Sequence, residues 1–448
     1  LTRRYLMVVL LCIPLLLALA GFGMHQRTMP VWPIALVEEV PRGRILAADG
    51  TILAEGAVSE RSYPQGELAS HLLGFSGAIQ PDGRHGLEGL EYTMESTLHY
   101  GLDVYTTLDP TLQAAAESKL AHAITEVQAE SGTAVILEAR TGRILASASY
   151  PTFDPNRFGT YDRSSLRNRA FLEQFEPGSV MKPFVIASLL ESGRLGTAEQ
   201  LPAPMHLRVG SKTFRDVAQH DPIIGVADAL RYSSNTAMLG LTERFEPVEL
   251  YDWLRHFGFG QSLTLDSAFT RGGQLNDWED WVPQDQASIT IGQSVSTTTL
   301  QLATAYSIFA NDGLLVSPYL VEGEQVPAPR RVLSPEVART VRGMLAYTVD
   351  ESGLRRAEIP GVEVAGKSGT ADVFDLTEGR YIENDYNLTF AGMFPAERPD
   401  IIMVVTVKKP RVNTSSTYVA APLFRAIGSE IVAGWGLAPS APAVARSP

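Results

Sequence analysis

The first long apolar stretch, Tyr5 to Met24, carries no charged side chain. About 20 apolar residues suffice to cross a bilayer as a helix. Arg3 and Arg4 precede the stretch, which by the positive-inside rule predicts a cytoplasmic N-terminus. A cleaved signal peptide competes with this reading, because Ala18-Leu19-Ala20 fits a small-x-small cleavage site. Length favours a transmembrane anchor at 5–24 behind a cytoplasmic stub at 1–4. Residues 28–112 are rich in Gly and Pro, with only short strand-like runs such as Arg44–Leu46 and Thr51–Ala54; a small β-rich or mixed module is expected there. From about Thr111, the residues Leu112, Ala115 and Ala116 open a helical stretch. Thr133–Leu137 and Arg143–Ser149 read as paired strands across the Arg140-Thr141-Gly142 turn. Alternating apolar positions from Val362 predict a further strand, with two more at Asn387–Phe394 and Ile401–Lys408 and a closing helix from about Val419 to Val432. Strands, then helices, then strands with a closing helix predict an α+β fold over 113–435, helices packed on an antiparallel sheet. The Ala/Pro-rich tail at 436–448 is expected to be disordered.

Composition narrows the classes. A chain of 448 residues with 45% hydrophobic side chains can build two domains with sizeable cores. A net charge of −13 argues against nucleic acid as a partner. Cys12, the only cysteine, lies in the apolar run, so there is neither an intrachain disulfide nor a zinc-type cysteine cluster. The eight histidines are scattered without ligand spacing, and no metal or cofactor is expected.

Three short motifs carry the chemistry. Glu176-Pro177-Gly178-Ser179-Val180-Met181-Lys182-Pro183-Phe184 places a serine at a helix start and a lysine three residues on. Positions i and i+3 share a helix face, so the Lys182 amine can reach the Ser179 hydroxyl. A helix N-terminus also presents unpaired backbone N–H groups, and a neutral amine beside a hydroxyl activates a serine nucleophile. With six lysines in the chain, ordinary serine usage gives roughly 0.4 Ser-x-x-Lys matches by chance, so this motif alone is weak. Tyr232-Ser233-Ser234-Asn235-Thr236 supplies Ser-x-Asn before a small-residue helical run, Ala237 to Gly240. The strand from Val362 ends in Lys367-Ser368-Gly369-Thr370, and a strand glycine permits close approach to the backbone. Each motif alone fits a cap or a turn. The three in this order, using two of six lysines, match the Ser-x-x-Lys, Ser-x-Asn, Lys-Thr/Ser-Gly pattern of penicillin-binding proteins and serine β-lactamases.

The chain resembles the class B penicillin-binding proteins, monofunctional peptidoglycan D,D-transpeptidases, over about residues 40 to 435. Arg42-Gly43-Arg44-Ile45 with Asp49-Gly50, Gly89-Leu90-Glu91 and Thr106-Thr107-Leu108-Asp109 are similar to landmarks of that family's non-catalytic module. Gly132-Thr133-Ala134-Val135 and Gly142-Arg143-Ile144-Leu145-Ala146 resemble the first hairpin of its transpeptidase domain. Ile291-Gly292-Gln293, Leu300-Gln301-Leu302-Ala303 and Ala305-Tyr306 fit its helix before the last motif. The resemblance implies a penicillin-binding, serine β-lactamase-like transpeptidase domain at 113–435 behind a pedestal at 28–112. It assigns Ser179 as nucleophile, Lys182 as base, Ser233 as proton relay, Asn235 as an orienting group and Lys367 as the cation facing the substrate's terminal carboxylate. Ser368, Gly369 and Thr370 become substrate-binding positions, and the backbone N–H groups of Ser179 and Thr370 form the oxyanion hole. Gly178 and Gly369 serve the backbone, and Ser234 starts a helix. Asp372, Tyr386 and Asn387 are candidates for the cleft wall, and His206 and His220 read as ordinary surface residues.

The implied reaction is cross-linking of D-Ala-D-Ala stem peptides, with β-lactams as covalent inhibitors. A β-lactamase would need the deacylating Glu-x-x-Leu-Asn, but Leu275-Asn276 has Gly272 where the glutamate would stand. A β-lactam sensor would add a signalling module, and a D,D-carboxypeptidase would use water as acceptor. A non-catalytic scaffold is at odds with intact Ser179, Lys182, Asn235 and Lys367. Within class B, Asn168-Arg169-Ala170, Phe175 to Ser179 and Val419-Ala420-Ala421-Pro422 favour the division type over the elongation type. The implied setting is single-pass in the cytoplasmic membrane, with the catalytic domain in the periplasm or extracytoplasmic space. The implied partners are other division proteins and a polytopic glycan polymerase of the shape, elongation, division and sporulation family.

Overall fold

A computed structural model of the protein describes residues 41–351, 353–375 and 379–436. The expected anchor at 5–24 and tail beyond 436 lie outside them. Among the described residues no helix is long and apolar enough to cross a membrane.

Helix α1 (Pro110–Glu126) begins where the Asp109 carboxylate accepts hydrogen bonds from Thr111 N and Leu112 N, with Pro110 in the first turn. Its buried residues Leu112, Ala116, Leu120 and Ile124 recur at helical spacing along one face. A hairpin follows, β1 (Ser131–Glu138) and β2 (Ile144–Tyr150). Then come the helices α2 (Lys182–Glu191), α3 (Asn235–Thr242), α4 (Thr299–Ala310) and α5 (Pro335–Asp350). Strands β3 (Ala365–Asp375), β4 (Arg380–Phe394) and β5 (Ile401–Lys408) and helix α6 (Ala420–Trp435) complete the order. The sheet runs β3-β4-β5-β1-β2 with every pair antiparallel. The last strand therefore closes beside the first, and the strand bearing Lys367 stands at an edge.

Both faces of the sheet are covered. Ala134, Ile136, Phe390, Met403 and Val405 pack with α1 and α6. Their strand neighbours Val135, Leu137, Ala391, Ile402 and Val404 face the helical layer opposite, as period-two side-chain alternation requires. Two-sided burial explains why β5 reads as an almost unbroken apolar run. Helix α4 is buried at every position and forms the centre of the helical layer.

The region from Arg42 to Leu108 is mixed. Ile52–Ala54, Ile45–Leu46 and Val104–Tyr105 form a three-stranded sheet, and short helices at Ser70–Leu73, Gly89–Thr93 and Glu95–His99 lie between its strands. Ile45, Leu53, Leu72, Leu90 and Leu98 join the same apolar cluster as the helical layer of the main sheet.

Two expectations need correction. Strand β4 begins at Arg380 rather than Asn387, because β3 runs past its motif to Asp375 and the two pair through an irregularity at Asp372/Val373. Helix α4 holds Leu300 to Tyr306, but Ile291–Gln293 lies in the turn before it, and α5 is the helix that precedes the last motif. The cause is Gly292, whose φ of +82° ends the preceding helix.

Candidate active site

Ser179 sits on a single 3-10 turn, Gly178–Met181, that runs directly into α2. Beneath it the Phe184 ring packs among Phe257, Phe259, Tyr306 and Phe309 with centroids 4.9–5.4 Å apart. The Tyr306 hydroxyl donates to Val180 O at 2.9 Å, so a buried aromatic box fixes the turn. On its other side Gly178 N donates to Gly292 O at 2.9 Å. A Cβ on Gly292 would lie 2.0 Å from Gly178 O, so only glycine allows this contact. Gly369 does the same for β3, since its Cβ would lie 2.5 Å from Pro177 O. Edge strand and nucleophile turn thus meet backbone to backbone. An edge strand leaves alternate N–H groups without a ladder partner, which is what an oxyanion donor at Thr370 needs.

Lys182 is fully buried. Its amine donates to Ser233 O at 2.6 Å and Asn235 Oδ1 at 2.8 Å, and lies 3.2 Å from Ser233 Oγ. Lys367, 1% exposed, donates to Ser233 Oγ and to Ser368 O, both at 3.0 Å. The structure thus brings Lys182, Ser233, Asn235 and Lys367 into one cluster in which a single hydroxyl bridges two amines. Burial and then the neighbouring Lys367 push Lys182 well below the ordinary lysine range, although Asp216 pulls the other way. Burial pushes Lys367 down to about 7. The two acceptors that hold Lys182 consume both N–H bonds of a neutral amine and leave its lone pair for a hydroxyl proton. The Ser179 side chain, half-buried, makes no hydrogen bond to a described residue, so its hydroxyl is uncommitted.

Ser233 reaches its bridging position in a left-handed conformation, φ +56°, uncommon for a residue with a side chain. Asp216, a residue outside all three motifs, holds that loop. Its carboxylate accepts from Ser234 Oγ at 2.5 Å, Asn235 N at 2.6 Å, Thr236 Oγ1 at 2.9 Å and Thr236 N at 3.1 Å. Burial would raise this carboxyl, but the bonds from Ser234, Thr236 and His220 outweigh it and hold it below the usual range. Ser234 also caps α3 through Ala237 N. Asn235 is fixed at its other end by Nδ2 donating to Arg215 O.

Past Thr370 the groove opens into a cleft of about 360 Å³ whose lining includes Glu176, Trp281, Asp372, Phe374, Tyr381 and Asn387. Glu176 accepts from Ser294 N at 2.8 Å and the Tyr381 hydroxyl at 3.0 Å, and burial pushes its carboxyl up to about 7. Asp372 and Asn387 line this cleft, whereas Tyr386 packs against the cluster on the opposite sheet face. Thr370 Oγ1 donates to Ser416 Oγ at 3.0 Å, a contact with no local sequence signal. His206 is exposed, as expected of a surface residue. His220 departs from that expectation, because its side chain is wholly buried against Asp216.

The sequence matches the family description "Penicillin binding protein transpeptidase domain" over residues 132–429. The chain belongs to this family. This penicillin-binding protein transpeptidase is 33% identical over 419 residues to the probable peptidoglycan D,D-transpeptidase PenA of Neisseria meningitidis, covering 87% of this chain and 71% of that one. It is 29% identical over 412 residues to the peptidoglycan D,D-transpeptidase FtsI of Escherichia coli K12, covering 86% and 68%. Its fold is similar to penicillin binding protein 3 of Mycobacterium tuberculosis, with a TM-score of 0.83, 30% identity and coverage of 92% and 99%. That protein has also been solved in complex with aztreonam and with ampicillin.

Proposed function

We infer that the protein is a serine-type peptidoglycan D,D-transpeptidase, and the observation that carries this reading is the Lys182 amine. It is buried, held by two obligate acceptors, and displaced toward its neutral form three residues from an uncommitted serine. The Ser179 hydroxyl oxygen attacks the carbonyl carbon between the two D-alanines of a stem peptide, and its proton passes to Lys182. Charge on the carbonyl oxygen is met by the backbone N–H groups of Ser179 and Thr370; one such donor contributes about 3 kcal/mol to the transition state. When the tetrahedral adduct collapses, the C–N bond breaks. The Ser233 hydroxyl, placed between both lysines, hands a proton to the departing D-alanine amine and takes up the one that Lys182 received from Ser179. An amine of a second stem peptide then attacks the ester, forms the cross-link amide and restores the Ser179 hydroxyl. Lys367, Ser368 and Thr370 receive the terminal carboxylate of the donor.

β-Lactams enter this scheme as acylating inhibitors that mimic the donor. The proposed setting is the septum, in line with the FtsI-like relatives and the residues around Phe175–Ser179 and Val419–Pro422. The proposed location is the cytoplasmic membrane, single-pass through 5–24, with the catalytic domain outside the cytoplasm and a polytopic glycan polymerase as partner. The apolar run behind Arg3 and Arg4 supports this topology. Membrane fractionation checks it: a soluble, N-terminally shortened product would favour the signal peptide instead.

The decisive experiment follows a fluorescent penicillin on the purified protein and on Ser179→Ala. Label that persists for many minutes on the wild type and is absent from the variant is expected. Rapid loss of label with drug hydrolysis would mean a β-lactamase, and no label on either protein would leave a scaffold.

A further inference from the structure

His220 lies on the loop between the strands Lys212–Arg215 and Ile223–Gly225, and its side chain is completely buried. Nε2 is 2.8 Å from Asp216 Oδ2, and Nδ1 is 2.8 Å from the backbone carbonyl of Asp221. A carbonyl oxygen can only accept. The Asp216 oxygens already accept four other hydrogen bonds, from Ser234, Asn235 and Thr236. A neutral imidazole carries one N–H and can serve only one of its two partners. Both contacts together require a proton on each nitrogen. The geometry therefore suits an imidazolium, paired with the carboxylate that organises the Ser-x-Asn loop.

That pairing bears on the proton acceptor. The field of Asp216 favours a charged Lys182, against burial and Lys367. A cation paired with the same carboxylate offsets that field. The other ionisable groups facing the ring are Asp221 on its own loop and Tyr232, whose ring lies 5.4 Å away with Arg231 stacked on it at 4.7 Å. Burial alone would lower the imidazole, but the Asp221 carbonyl and the Asp216 carboxylate outweigh it and raise it above the ordinary histidine value.

We propose that His220 is a positioning residue held as an imidazolium, which clamps the Ser233–Thr236 loop through Asp216 and offsets the carboxylate charge that would draw a proton onto Lys182. The inference rests on Lys182 as the base in acylation. Two measurements test it. In the full-length protein with ¹⁵N-labelled histidine, assigned by loss of the signal in His220→Gln, both His220 nitrogens are expected to be protonated at neutral pH. A neutral ring with one bare nitrogen would overturn the proposal, and this readout is taken on the wild type. The second is the rate constant for penicillin acylation across pH, compared between the wild type and His220→Gln. That substitution keeps an N–H toward Asp216 without the charge. Its acid limb is expected to move up by about one pH unit, lowering the rate below the limb about tenfold. An unmoved limb, or one moved down, would overturn the electrostatic role. Failure of the base itself looks different, because Lys182→Ala would then still acylate whatever the state of His220.

Discussion

Among the described residues, the buried charges around Arg42 and those around Lys182 are built on opposite rules. Near Arg42, the guanidinium Nε donates to Glu91 Oε2 at 2.8 Å and Nη2 to Glu95 Oε2 at 2.7 Å, while Arg61 Nε donates to Glu91 Oε1 at 2.6 Å. Two cations meet two anions, and every carboxylate faces a guanidinium. At the cleft, Lys182 and Lys367 meet a shared hydroxyl, an amide oxygen and carbonyls, with no carboxylate among the described residues bonded to either amine. Compensation lets the first cluster keep its charges at depth. Its absence weakens the hold of both amines in the second on their protons. The first arrangement ties together the small sheet and helices before Leu108, and the second yields an amine displaced toward its proton-accepting form. Balanced burial makes structure, and unbalanced burial makes reactivity.

The unbalanced cluster is most sensitive at Lys182. Lys182→Arg keeps a cation but supplies a group that cannot deprotonate in a protein. Its acylation rate by fluorescent penicillin is expected to fall by about 10²–10⁴-fold, the range of a lost general base. Labelling within about tenfold of wild type would remove Lys182 from the proton-accepting role. The balanced cluster should answer in stability instead. Glu91→Ala leaves Arg42 and Arg61 facing an emptied site, and breaking a buried pair costs about 3–5 kcal/mol. Urea unfolding should report that loss, while acylation per folded molecule stays near wild type. A stability change below about 1 kcal/mol would place the cluster among exposed pairs of little worth.

The sequence reveals the reactive cluster better than the structural one, and the reason is range. Ser179 with Lys182, and Ser233 with Asn235, are pairs whose chemistry fixes residue type at a spacing of two or three, so they can be read locally. Lys367 is legible because its strand alternates. Asp216 meets the Ser-x-Asn loop at a separation of 18 residues, and Ser416 meets Thr370 at 46; tertiary path alone sets those separations. Arg42 and Glu91 are 49 residues apart and equally silent, although Arg42 lies in a motif that the family resemblance singles out. Strands show the same division. β5, covered on both faces, reads from its apolar run at its observed limits, Ile401–Lys408. The first half of β4, Arg380 to Tyr386, is mostly exposed or half-buried and carries charges, so no hydrophobic period marks it.

Lys367 should give a weaker response, with a sign contrary to ordinary mutation. Lys367 has its folded-state value near 7 against an ordinary lysine value of 10.5. Between those values the unfolded chain holds a proton that the folded chain has released, so stability rises with pH across the window. Below about 7 both states are protonated, and the cost of burying the charge is present in full. Above the ordinary value both are neutral and the cost vanishes. Lys367→Met removes that cost; even for buried ion pairs, apolar replacement is neutral or stabilising by roughly 1–4 kcal/mol. The lower part of that range is expected, since the carbonyl of Ser368 loses its donor. The variant should therefore melt above the wild type on the acid side of neutrality. The gap should close as pH climbs toward the ordinary lysine value, and acylation should fall throughout. A variant less stable than wild type at acid pH would mean that Lys367 is compensated after all, and that the two clusters obey one rule.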